Sequence, residues 1–155
     1  MKKIKVAFVC HGNICRSPMA QYVFENLVEK QGLKDSFHID SMATSREEIG
    51  AGIYPNARAE LIKHNIHGFE NHRAKQFTKL DYDTFDYVIV MDEENLWGMK
   101  WIIGNDDKNK IYKLLDFTKE KGDVEDPWYT RNFDKVFNEI DNGCKCLLEY
   151  LKQQL

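Results

Sequence analysis

Ile4-Lys5-Val6-Ala7-Phe8-Val9-Cys10-His11-Gly12-Asn13-Ile14-Cys15-Arg16-Ser17-Pro18 changes its character twice within fifteen residues. Ile4 to Val9 is a short, mostly apolar run, the pattern of a central strand. Ser17 and Pro18 open a helix: proline suits the first helical position, and serine before it is a cap candidate. Between the two lies a loop that begins at Cys10 and closes at Arg16. Five intervening residues suffice to wrap the backbone around one tetrahedral oxyanion. Successive N–H groups then turn inward, backed by the positive end of the helix dipole. Gly12 and Asn13 are the residues that accept the left-handed backbone such a cradle needs.

Working outward, Ala20, Val23, Phe24, Leu27 and Val28 recur at helical spacing, and Gly32 ends that helix. Phe37, Ile39 and Ser41 alternate with His38, Asp40 and Met42 in a second strand. Pro55 opens a helix through Leu61 and Ile62 that stops near Asn65. Tyr87-Val88-Ile89-Val90-Met91 reads as a strand buried on both faces. Asp92 to Trp101 is expected to be helical, with Trp97 and Trp101 serving as core or as contact surface. Lys110 to Asp116 is expected to form a fourth strand. From Asn132 to Leu151, Phe133, Val136, Phe137, Ile140, Cys144, Leu147, Leu148 and Leu151 make one continuous stripe.

Strands alternating with helices predict an α/β fold: a single three-layer domain over residues 1–155, with a four-stranded parallel sheet and helices on both faces, doubly wound and flavodoxin-like. Ligands in this architecture bind beyond the carboxyl ends of the strands, where Cys10 and Asp92 both fall. A chain of 155 residues buries roughly 70% of its unfolded surface and needs no staple. Its net charge of −3 excludes a general nucleic-acid binder, so an anionic ligand must be attracted locally. The N-terminal apolar run is too short for a signal sequence or a membrane span. Cys10, Cys15, Cys144 and Cys146 show no framework spacing, and no Cys-x-x-Cys pair or histidine cluster suggests a metal. Reduced thiols and a cytoplasmic location are expected.

A free cysteine is only about 3% thiolate at pH 7, whereas thiols at helix N-termini ionise with pKa values of roughly 3.5–7.5. Cys10 is therefore expected to act as a nucleophile without a histidine to deprotonate it. Arg16 would hold two equatorial oxygens of a phosphoryl group in its planar fork, which lysine does not match. Ser17 has two open roles, capping the helix or donating its hydroxyl to the Cys10 sulfur. Nucleophile, clamp and anion cradle together point to phosphoryl transfer through a cysteine. Cys15, with four residues between it and Cys10, is either a wall residue lending its N–H or a partner for Cys10 in a reversible disulfide. Cys144 belongs to the apolar stripe and Cys146 lies off it.

The segment from Cys10 to Pro18 resembles the phosphate-binding loop of the low-molecular-weight protein tyrosine phosphatases. The resemblance continues through Ser41-Met42-Ala43-Thr44-Ser45, Pro55-Asn56-Ala57, His72-Arg73-Ala74-Lys75-Gln76, Phe85-Asp86-Tyr87, Met91-Asp92-Glu93-Glu94-Asn95 and Asp126-Pro127-Trp128-Tyr129. It implies hydrolysis of phosphotyrosine in proteins, and of small aryl phosphates, through a phosphocysteine and with no cofactor. His11, Gly12, Asn13, Ile14, Cys15 and Arg16 would bind the phosphate. Asp126 would be the general acid, and Asp92 a neighbour of the site. Asn13, Ser17, Ser41 and His72 would form the network that holds the loop. Trp128 and Tyr129 would wall the mouth and favour a phenyl ring. The resemblance also implies phosphate, vanadate or sulfate as site ligands and a monomer that binds neither nucleic acid nor membrane.

Two departures stand out. Arg46-Glu47-Glu48-Ile49 replaces the aromatic residue common after the Thr-Ser pair, which sets Glu47 near the mouth. Trp128 stands where tyrosine is common. An arsenate reductase of the same fold would need relay thiols, and no cysteine lies between Cys15 and Cys144. A phosphate-reading module without turnover would have no use for Cys10, Arg16 and Asp126 together.

Overall fold

The computed structural model describes residues 2–155. Four parallel strands form one sheet in the order β2-β1-β3-β4, namely β1 (Ile4–Cys10), β2 (Phe37–Ala43), β3 (Tyr87–Val90) and β4 (Ile111–Lys113). β1 sits inside the sheet and pairs β2 along its whole length, from Ile4 opposite Phe37 to Cys10 opposite Ala43. The chain leaves β1 to one side for β2 and later returns to the other side for β3. The carboxyl end of β1 is thus the point where strand order reverses, and there the protein places Cys10.

Alternate residues of β1 feed two apolar layers. Val6, Phe8 and Cys10 face a core built by α1 (Arg16–Lys30), α2 (Pro55–Lys63) and α6 (Phe133–Lys152). Ala7 and Val9 face Phe77, Tyr82, Phe85 and Met99, carried on or beside α3 (Lys79–Thr84) and α4 (Glu93–Ile103). The three-layer expectation is met, and the stripe from Phe133 to Leu151 is the buried face of α6.

Several boundaries differ from the sequence reading. α1 begins at Arg16, so Ser17 lies inside it and caps nothing; its hydroxyl is engaged elsewhere. The fourth strand stops at Lys113, because the Asp116 carboxylate accepts the Lys113 N–H at 2.9 Å and bends the chain into a 3₁₀ turn, Leu114–Phe117. Met91 leaves the ladder, its N–H donated to Asn95 Oδ1 at 2.9 Å. Two short helices went unread. One is α3, whose Thr78 and Asp81 cap each other. The other is α5 (Pro127–Thr130), started by Asp126 and Pro127 and ended by Arg131 in the left-handed region at φ 61°. Trp97 and Trp101 are surface residues, not core.

Candidate active site

The residues from Cys10 to Arg16 close into a bowl because five of its carbonyls are held by hydrogen bonds to the surrounding chain. Thr44 N donates to Cys10 O at 2.9 Å, Ser45 N to His11 O at 3.0 Å, Tyr54 N to Ile14 O at 2.8 Å, and Met19 N to Cys15 O at 3.1 Å. His72 Nε2 donates to Asn13 O at 2.9 Å, which fixes the proton on that nitrogen. The N–H groups of Gly12 through Cys15 take no partner among the described residues and stay free for an anion. Asn13 alone adopts the left-handed conformation, at φ 61°. Gly12 does not, and a Cβ there would make only an ordinary contact with Glu48 Cγ at 3.4 Å.

A chain of buried polar groups supports the bowl from beneath. Asn13 Nδ2 donates to Ser17 Oγ at 2.8 Å and to Ser41 Oγ at 3.0 Å, and Asn13 Oδ1 accepts Lys75 N–H at 3.2 Å. Ser41 Oγ donates to Gln21 Oε1 at 2.6 Å. Ser17 Oγ, having accepted from Asn13, has one proton to give. Cys10 Sγ lies 3.1 Å away and Met42 O 3.3 Å. An ionised sulfur would claim that proton, and Ser17 N–H also reaches it at 3.4 Å. Of the two roles open to Ser17, the geometry places it against the Cys10 sulfur. Burial lowers the His72 pKa against the pull of its bond to Asn13, leaving a neutral structural imidazole.

Arg16 is buried at the floor, with a side chain only 4% exposed. Nη1 donates to Asp92 Oδ2 at 2.7 Å and to Val124 O at 2.9 Å, while Nη2 lies 3.5 Å from Asp126 Oδ2. Burial alone would lower its pKa, but Cys10, Asp92 and Asp126 outweigh burial and hold the guanidinium charged. Asp92 has two tasks, since its other oxygen caps α4 by accepting Asn95 N–H at 2.8 Å. Asp126 caps α5 in the same way, accepting Trp128 N–H at 3.0 Å. Burial, then the charges of Cys10 and Asp126, push the Cys15 thiol up to about 12, so Cys15 stays protonated.

Over the loop opens a cavity of about 350 Å³, lined further by Asp126, Trp128, Tyr129, Glu47, Glu48 and Glu94. His11 meets Glu47 at 3.0 Å across the entrance. The floor is therefore a thiol in a bowl of free N–H groups, and its rim carries a carboxyl and two aromatic rings. That arrangement accepts a flat phosphate ester.

The model of the family "Low molecular weight phosphotyrosine protein phosphatase" matches residues 5–155. The chain belongs to that family. A low molecular weight protein-tyrosine-phosphatase of Bacillus subtilis, YfkJ, is 37% identical over 153 residues, covering 97% of each chain. The crystal structure of YfkJ superposes with a TM-score of 0.95 at 36% identity, over 99% of this chain and 98% of that one. The low molecular weight phosphotyrosine protein phosphatase of Gallus gallus is 41% identical over 149 residues, covering 93% of both. A structure named as a drosophila arginine phosphatase shares the fold at TM-score 0.84 and 29% identity, over 96% of this chain and 98% of that one.

In this phosphatase Cys10, Arg16 and Asp126 line one pocket, Ser17 is buried against the Cys10 sulfur, and Asn13, Ser41 and His72 are joined to the loop by hydrogen bonds. Two contributors were not singled out from the sequence: Gln21, which accepts from Ser41 and donates onward to Glu25, and Val124, which offers its carbonyl to Arg16. Asp92, expected only as a neighbour of the site, aims the same guanidinium. Gln21 had a faint signal, being a polar residue one turn beyond Ser17 on the core side of α1. Val124 had none, because only its backbone acts.

Among the described residues no helix is long and apolar enough to cross a membrane, and no three His, Cys, Asp or Glu side chains group as a metal site.

Proposed function

We propose that this family member hydrolyses phosphotyrosine in proteins, and small aryl phosphates, in two displacements at Cys10. The Cys10 thiolate attacks phosphorus, the bond to the tyrosine oxygen breaks, and Asp126 gives that oxygen its proton. Water then attacks the phosphocysteine, Asp126 takes a proton from it, and phosphate leaves as the thiolate is restored. Arg16 and the free N–H groups of the loop hold the three equatorial oxygens, most tightly at the transition state. Ser17 stabilises the departing thiolate. Guanidinium and amides already carry the charge stabilisation, so the chemistry asks for no cofactor. Trp128 and Tyr129 flank the ring, and inorganic phosphate, vanadate or sulfate would occupy the bowl as simple anions. A cytoplasmic monomer, one domain over the whole chain, fits this activity. Cys15 lends its N–H, and remains a candidate disulfide partner should Cys10 be oxidised.

One observation carries the proposal. The Cys10 sulfur lies 3.1 Å from Ser17 Oγ in a bowl whose floor holds Arg16, itself 3.5 Å from Asp126. The test is turnover of phosphotyrosine, phosphoserine and phosphoarginine peptides by wild type, Cys10→Ser and Asp126→Asn. Cys10→Ser should lose all turnover and still bind phosphate. Asp126→Asn should slow phenyl phosphate far more than p-nitrophenyl phosphate, because the better leaving group needs less protonation. Equal losses on both esters would remove Asp126 from the acid role. Preference for phosphoarginine would reassign the substrate.

A further inference from the structure

The surface continuous with the catalytic mouth extends along α4. Glu94, in the first turn of that helix, lines the mouth. Its neighbour Glu93 lines a second groove of about 300 Å³, whose apolar walls include Leu96, Trp97, Ile103 and Ile111. Glu94, Trp97 and Trp101 follow an i, i+3, i+7 spacing and so share one helical face. They span about 10 Å of helix axis. Trp97 is 63% exposed and Trp101 88%. Neither indole is needed by the fold, since α4 is anchored elsewhere. Met99 is buried in the sheet-facing layer, and Gly98 rests so close to Thr44 that a Cβ would approach it to 2.9 Å. The helix is a rigid ledge. Two adjacent indoles on such a ledge are an interaction surface, because tryptophan dominates binding energies where it becomes covered.

We propose that this ledge is a second docking surface for the protein substrate, taking the chain that flanks the phosphotyrosine. This rests on the phosphotyrosine phosphatase reading of the pocket. Charge selects the near contact: Glu47, Glu48 and Glu94 make the rim acidic, and Arg16 on the floor is committed to Asp92 and the phosphate. A basic side chain close to the phosphotyrosine is favoured there and an acidic one repelled. Spacing selects the far contact. An extended chain advances about 3.3–3.6 Å per residue, so some three residues beyond Glu94 bring an aliphatic or aromatic side chain to the tryptophans. Lys100, held over Trp97 at 4.9 Å, leaves the outer side of the groove able to meet a backbone carbonyl. Continuity with the mouth through one helical turn assigns this face to substrate, not to a second copy of the chain.

Steady-state kinetics of the full chain test the assignment. The substrates are p-nitrophenyl phosphate and two sets of phosphotyrosine decapeptides, one carrying its flank before the phosphotyrosine and the other after it. Each set has a member with a near lysine and a far leucine, and a member with glutamate and serine there. Wild type should favour the lysine–leucine peptide of one set by about tenfold in KM, the scale of one buried hot-spot side chain. Trp97→Ala/Trp101→Ala should erase that preference while leaving kcat, and all constants for p-nitrophenyl phosphate, unchanged. Peptide KM values within twofold of wild type in that variant would overturn the proposal. If the variant also shifts sedimentation from dimer to monomer, the face belongs to a second copy. Failure of wild type to turn over p-nitrophenyl phosphate would instead sink the phosphatase reading itself, which keeps the two failures apart.

Discussion

Two sets of polar side chains are buried in this protein, and they are treated in opposite ways. Asn13, Ser17 and Ser41 under the phosphate loop are wholly inaccessible, and every side-chain oxygen or nitrogen of Asn13 has a partner. Glu60, on α2 where it meets α6, is nearly as buried, yet its Oε1 has no partner among the described residues. Its other oxygen stands 4.0 Å from Lys63 Nζ, an ammonium that Asp134 holds more closely at 3.2 Å. Burial, then the neighbouring Asp134, raise the Glu60 pKa against Lys63 and His64. A buried polar group left unsatisfied costs about 1–3 kcal/mol, whereas one fully paired can be neutral or better. Buried polarity under the loop therefore builds a stiff site. At Glu60 it is a local weakness that nothing in the chemistry uses.

The sharpest way to break this contrast is at Arg16. Arg16→Lys keeps the charge but loses the fork, and kcat for p-nitrophenyl phosphate should fall about 10²–10³-fold, as for loss of one oxyanion donor. A loss below tenfold would mean that charge alone suffices. Asn13→Ala comes next, because it strands Ser17, Ser41 and the Lys75 N–H together and puts alanine at φ 61°. It should cost about 1–3 kcal/mol in urea unfolding. Phosphatase activity should fall with it, even though residue 13 would contact the phosphate only through its backbone.

Glu60→Gln should do the reverse and raise the melting temperature at neutral pH without changing kcat. The sign follows from linkage. A carboxyl whose pKa is raised by folding holds its proton more tightly in the native state, so it destabilises as pH rises through that value. Glutamine removes this slope, and melting curves from pH 4 to 8 would show it flatten. The smallest effect belongs to His72. Its pKa is lowered by folding, so the unfolded chain binds a proton first, and stability falls as pH drops below the ordinary histidine value. His72→Gln keeps a donor for Asn13 O and should weaken that acid-side loss. An unchanged slope would place the titrating group elsewhere.

How much of this was legible depends on whether the interaction is local. Strand β1, its loop and α1 were readable because periodicity, a cysteine, an arginine and a proline lie within fifteen contiguous residues. The end of β4 was not, since one carboxylate at Asp116 stops a strand that the apolar pattern would continue. Helix α3 carried its signal in Thr78 and Asp81, but six residues are too few to display a period. Asp126 is an ordinary turn residue before proline by its own chemistry, and only resemblance to a family lifted it out.

From the order of residues alone came the parallel α/β architecture and the loop that closes from Cys10 to Arg16, because each is set by near neighbours and by backbone dihedrals. Tertiary structure decided what those groups do together. Asp92, 76 residues from Arg16 along the chain, aims the guanidinium, and Val124, 108 residues away, accepts from it. Gln21 and Ser41 complete the support beneath the sulfur from two different elements. Hydrogen bonds and charges act over a few ångströms of space, and no spacing in sequence encodes which distant oxygen folding will bring there.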